Sequence, residues 1–124
     1  MNNAAERYRT SQFTTSSPGE LTLQLYNGAL RFIKQTKEAL SQRQLDKAHE
    51  YNLRVQDIIS ELMITLNLDV PISGQFFVMY DYMKRRMIEA NVSKDEEILK
   101  EVEDLFVQFR DTWKEVIIIS RQQA

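Results

Sequence analysis

The chain has 124 residues, enough for one domain with a sizeable core. It has no cysteine, which excludes disulfides and thiolate metal sites, and its 16 basic and 18 acidic residues leave no basic footprint of the kind nucleic-acid binding needs. Three glycines and two prolines are too few for phosphate-cradling loops or repeated tight hairpins, and no apolar run is long enough to span a bilayer.

The composition favours long, uninterrupted helices. The cysteine-free chain suits a reducing cytosol, and its first residues lack the basic-then-apolar order of a secretory signal. Residues 1–16 are polar, with Tyr8 and Phe13 as isolated aromatics. Thr10, Ser11, Thr14, Thr15 and Ser16 offer the backbone local hydrogen bonds that compete with a helix. This stretch reads as a flexible N-terminal arm, and residues 17–120 as the folded domain.

The first helix signal is Ser17-Pro18-Gly19-Glu20, a capping box with proline at the first helical position. Leu23, Tyr26, Leu30, Ile33 and Leu40 follow at helical spacing, and the helix is expected to end near Leu40. A second helix is predicted from about Leu45 to Leu66, on the stripe Ala48, Asn52, Val55, Ile59 and Leu62. Pro71 and Gly74 mark a loop. A third helix is predicted over about Gln75 to Ala90, with Phe76, Tyr80, Met83 and Met87 on one face and Asn91 as C-cap. Ser93-Lys94-Asp95-Glu96 repeats the capping-box pattern ahead of a fourth helix. That helix carries Ile98, Val102, Leu105, Phe109 and Val116 on one stripe and Leu99, Phe106, Trp113 and Ile117 on a second. Long helices with short connections predict an all-α, antiparallel up-down-up-down four-helix bundle.

Catalytic constellations are missing from the pattern. His49 is the only histidine and stands beside the core position Ala48, so it reads as a solvated helix residue rather than a metal ligand or phosphoacceptor. The acidic residues of the fourth helix complement its dipole and lie off the apolar stripe. Lys84-Arg85-Arg86 is the one compact basic run. No nucleophile-base arrangement is present, and the chain reads as a binding protein, not an enzyme, with no cofactor or metal. The informative surplus is apolar. Val78, Met79 and Tyr82 fall off the third helix's core stripe; Tyr82 lies about 200° from Tyr80 around the helix. Ile64 and Ile118 are similarly displaced. Such a surplus marks either a helix buried on two sides or a groove that a partner fills. Tyr8 and Phe13 of the arm and Ile64, Met79, Tyr82, Leu99, Phe106 and Ile118 of the domain are the candidate partner-binding residues.

The run Thr15-Ser16-Ser17-Pro18-Gly19-Glu20-Leu21-Thr22-Leu23-Gln24-Leu25-Tyr26-Asn27-Gly28-Ala29-Leu30-Arg31-Phe32-Ile33 resembles the flagellar secretion chaperones dedicated to flagellin. Gln56-Asp57-Ile58-Ile59-Ser60-Glu61-Leu62, Met79-Tyr80-Asp81-Tyr82-Met83 with Arg85-Arg86, Glu89-Ala90-Asn91, and Phe109-Arg110-Asp111-Thr112-Trp113-Lys114 agree in order and spacing. The similarity runs from Tyr8 to about Val116. Many members carry a glycine pair before the third helix, where this chain has Pro71-Ile72-Ser73-Gly74. The resemblance implies a cytosolic bundle that holds the disordered C-terminal segment of flagellin. It implies that this blocks premature polymerisation, and that the bundle presents its cargo to an export-gate component of the flagellar type III apparatus. It also implies that the arm, with Tyr8 and Phe13, lies over part of the groove when flagellin is absent. A homodimer in that state, or a self-associating adaptor bundle, is the alternative use of the apolar surplus. His49→Ala is expected to leave function intact; a motility defect at normal protein level would contradict it.

Overall fold

The computed structural model describes residues 18–123, so Ser17 and the expected arm with Tyr8 and Phe13 lie outside the described residues. Four helices follow one another: α1 (Pro18–Ser41), α2 (Leu45–Ile64), α3 (Ser73–Ser93) and α4 (Glu96–Gln123). Each packs on two neighbours, α1 on α2 and α4, and α3 on α2 and α4. Every seam is antiparallel. Phe32 meets Tyr51, Asn52 meets Met87, Phe76 meets Phe109, and Lys37 meets Glu103. This is the up-down-up-down bundle expected from the stripes.

The helix ends differ from the sequence expectation in instructive ways. α3 runs on through Asn91 to Ser93, and Lys94 then takes the left-handed conformation (φ 56°) in place of the expected cap Asn91. Ser93 does not cap α4. Its hydroxyl donates back to the Glu89 carbonyl (2.8 Å), and the Asp95 carboxylate accepts the Glu97 amide (2.9 Å) as the N-cap instead. Both Ser93 and Asp95 suit the role chemically. Ser93 is instead the last residue of α3, where its hydroxyl binds the Glu89 carbonyl one turn back. At the α1–α2 turn, Arg43 likewise takes a left-handed φ of 59°, so non-glycine residues close both turns at this end of the bundle.

The core is drawn from all four stripes, including Ile33, Val55, Ile59, Met83, Met87 and Val102, all fully buried. Two polar groups are built into it. The Asn52 side chain donates to the Met87 carbonyl (3.1 Å) and accepts from Gln56 (2.8 Å), fixing the register of α2 against α3. The hydroxyls of Tyr26 on α1 and Tyr80 on α3 meet at 2.6 Å across the bundle diagonal. Phe109 packs on both rings at 5.9 Å and stacks on Tyr26 at 20°.

The diagonal pair makes two expectations. Tyr80→Phe strands a buried hydroxyl on Tyr26 and should cost about 1–3 kcal/mol, whereas Tyr26→Phe with Tyr80→Phe should recover most of that loss. Chemical denaturation of the two single variants and the double variant measures the coupling; additive losses would show that the bond contributes nothing. Burial holds both phenols above the ordinary value of 10.0, Tyr26 most strongly, with Tyr80 beside it adding to the effect. Above pH 10 the unfolded chain therefore sheds protons that the folded chain keeps. Stability is full below that value and should fall as pH rises past it, less steeply in the double variant.

Candidate protein-binding groove

The α3–α4 seam is closed at one end and open at the other. At the closed end Tyr82 donates its hydroxyl to Glu101 (2.7 Å), and Arg86 binds the other Glu101 oxygen (2.7 Å) while reaching Glu89 (2.6 Å). The bond from Tyr82, followed by that from Arg86, holds the Glu101 carboxyl below the ordinary carboxylate value, and the bond to Glu101 raises the Tyr82 phenol. At the open end the helices leave an apolar groove of about 340 Å³, lined by Phe76 and Met79 from α3 and Leu105, Gln108, Phe109, Thr112 and Trp113 from α4. Its floor is the aromatic cluster of Phe76, Tyr80 and Phe109 over the diagonal tyrosine pair.

The apolar row of α4 does not stop where α3 starts. α4 has 28 residues against 21 for α3, about 42 Å against about 31 Å at 1.5 Å per residue. Leu105, Phe109, Thr112, Val116 and Ile119 recur at spacings of four and three, the seam pattern of a helix that packs on another helix. Val116 and Ile119 are 44% and 51% exposed, because this part of the row extends past the length that α3 can match.

The sequence candidates fall into three groups. Met79 lies in the groove wall. Tyr82 is half-buried on the side facing α4, packs against the core and belongs to the clamp with Glu101 and Arg86. Ile64 and Ile118 are exposed, at 77% and 54%, and neither is a groove-lining residue. Leu99 and Phe106 are corrected: both are 0% exposed and belong to the core. Their stripe is buried because the first half of α4 is covered by α1 as well as α3, so a second apolar stripe here means burial on two sides. Phe76, Leu105, Phe109 and Trp113 are groove residues that sequence reasoning assigned to core stripes. The signal that marks them is the length of the α4 stripe relative to α3.

The polar candidates have structural partners. His49 is exposed and its Nδ1 accepts from the Asn91 amide (2.8 Å). Arg85 pairs with Asp81, and Glu103 and Asp104 pair with Lys37 and Lys100. Among the described residues no three His, Asp or Glu side chains converge to hold a metal ion, and no helix is long and apolar enough to cross a membrane.

The family model for flagellar protein FliS matches residues 1–120. The chain belongs to the FliS family. The flagellar secretion chaperone FliS of Bacillus subtilis (strain 168) is 40% identical over 120 residues, covering 97% of this chain and 90% of the relative. The FliS chaperone of Salmonella typhimurium is 27% identical over 110 residues, covering 86% and 81%, and that of Vibrio cholerae is 25% identical over 108 residues, covering 86% and 79%. Membership of the FliS family supports an export-chaperone role, which is a binding role rather than a catalytic one.

The clamp gives Tyr82 a structural role in the α3–α4 seam. Tyr82→Ala removes packing on the core and frees Glu101 from one donor. It should lower the thermal midpoint more than Val78→Ala, whose side chain is 64% exposed. Calorimetric melting checks this; equal midpoints would return Tyr82 to the free surface.

Proposed function

We propose that this chain is an export chaperone that binds the disordered C-terminal segment of flagellin in the bacterial cytosol, prevents its premature polymerisation and delivers it to a gate component of the flagellar type III export apparatus. The observation that carries the reading is the apolar row of α4 that outruns α3. A segment that folds on binding needs a long apolar track on a rigid scaffold, and it can then form the helix that the α4 row lacks as a neighbour. Membership of a family whose relatives are named flagellar secretion chaperones supports flagellin as the cargo. Met79, in the groove wall, has the flexible thioether chain that adapts to a partner surface.

Self-association through the same row is the competing use, favoured by the exposure of Val116 and Ile119. Light-scattering mass with and without flagellin separates the two: a stable homodimer indifferent to flagellin supports the adaptor reading.

Met79 and Val78 are adjacent in sequence but lie on different faces of α3, the first in the groove and the second on the outer surface. Met79→Ala should leave melting nearly unchanged and weaken binding of a flagellin C-terminal peptide by about 1–2 kcal/mol, as interface hot spots do. Val78→Ala should bind like the parent chain. Titration calorimetry measures both, and equal affinities for all three proteins would move the binding site away from the groove.

A further inference from the structure

The groove has an end wall, and that wall hangs on a different helix. The Trp113 ring lines the groove, while its indole N–H donates to the Gly19 carbonyl in the first turn of α1 (2.7 Å). Two further turns of α4 rest on the same short stretch. Ile117 lies against Gly19, within 3.6 Å of where a Cβ would stand, and Arg121 pairs with Glu20. The first turn of α1 is Pro18-Gly19-Glu20-Leu21. Glycine costs a helix about 1 kcal/mol relative to alanine, so this turn gains order from the three α4 side chains that hold it. A carbonyl has two lone pairs, so Gly19 can accept from Trp113 without leaving the helix ladder.

We propose that Trp113 is a positioning residue that ties groove occupancy to the order of the first turn of α1. The bond to Gly19 holds the indole as a fixed wall before cargo arrives, which lowers the cost of binding. Coupling of this kind is reciprocal: cargo that packs on the Trp113 ring fixes the indole, the indole fixes Gly19, and the first turn of α1 tightens. Whatever loosens that turn weakens the groove by the same factor. This inference rests on the groove being the cargo site.

Trp113 is the only tryptophan, so its emission reports this wall alone. The test is hydrogen exchange of the α1 first-turn amides in the full chain, free and saturated with a flagellin C-terminal peptide, together with titration of Trp113 emission. The expected result is slower exchange at residues 20–23 on binding, with a shift in emission. Trp113→Phe keeps an aromatic wall but loses the donor. It should bind roughly three- to ten-fold more weakly, the size of one hydrogen bond, and lose the exchange response to peptide. Gly19→Ala adds a Cβ at ordinary contact distance from Ile117 and Trp113 and strengthens the turn, so it should bind more tightly than the parent chain. A purely structural role for Trp113 would lower the melting point of the Phe variant while leaving the parent's first turn unresponsive to peptide. Peptide binding with unchanged exchange at residues 20–23, or an alanine variant that binds no better, overturns the coupling and leaves the groove reading standing. Absence of peptide binding by the parent chain overturns both.

Discussion

Two phenol oxygens meet at the middle of the bundle, and the rest of the architecture is arranged around keeping them together. A buried hydroxyl without a partner costs on the order of 1–3 kcal/mol, so Tyr26 and Tyr80 each fix where the other can be. The bond runs along the diagonal, between the two helices α1 and α3 that are not packed neighbours. It therefore sets a dimension that ridge-and-groove packing along the four seams does not. Phe109 fills the space beside both rings, and Phe76 packs on Phe109 in turn. The same cluster that ties α1 to α3 is thus the floor of the groove, and the groove inherits the rigidity of the core beneath it.

Polar contacts divide the α3–α4 seam into a fixed half and an open half. Tyr82, Arg86 and Glu89 gather around Glu101 where the helices must not separate. Around the groove, the polar groups Gln108 and Thr112 stand among apolar side chains, and the indole N–H of Trp113 is committed to α1. On the adjoining α2–α3 seam Asn52 performs the register-setting task by binding the Met87 carbonyl, a contact that permits one alignment of α2 against α3. A bundle pinned at these points can expose an apolar groove without its helices sliding to cover it.

The sequence carried the helices and the core stripes clearly, because Tyr26, Ile33, Val55, Ile59, Tyr80, Met83 and Met87 fall at a spacing that only a helix brings to one side. Boundaries were less legible where two residues had equal claim to a role, as Ser93 and Asp95 did to the cap of α4. The choice there depends on the length of α3, which no local pattern records. Met79 was legible as a surface residue from its angle on the helix. Leu99 and Phe106 were not legible as core, since angle alone cannot tell a stripe facing a neighbouring helix from one facing solvent. The groove residues Phe109 and Trp113 show the reverse case. They sit on good core stripes, and they are accessible because the first turns of α3 leave the groove open beside them. Faces follow from periodicity within one helix, whereas exposure follows from the relative lengths of two.

That difference in length also bears on how cargo is held. A groove of about 340 Å³ lies at the small end of ligand sites, and a segment that folds on binding buries on the order of 1,000–3,000 Å². The groove alone cannot supply that area, so under the proposed function it would serve as an anchor. The extra surface must come from apolar side chains already outside the core, and Val116 and Ile119 continue the groove's own row on α4. A helix laid along this row would meet Trp113 midway, between the anchored part and the overhang. Its packing there would press on the one wall that depends on the first turn of α1. The side chain at that junction is the one whose hydrogen bond leaves the groove for another helix, so packing on either side of it would reach the start of α1.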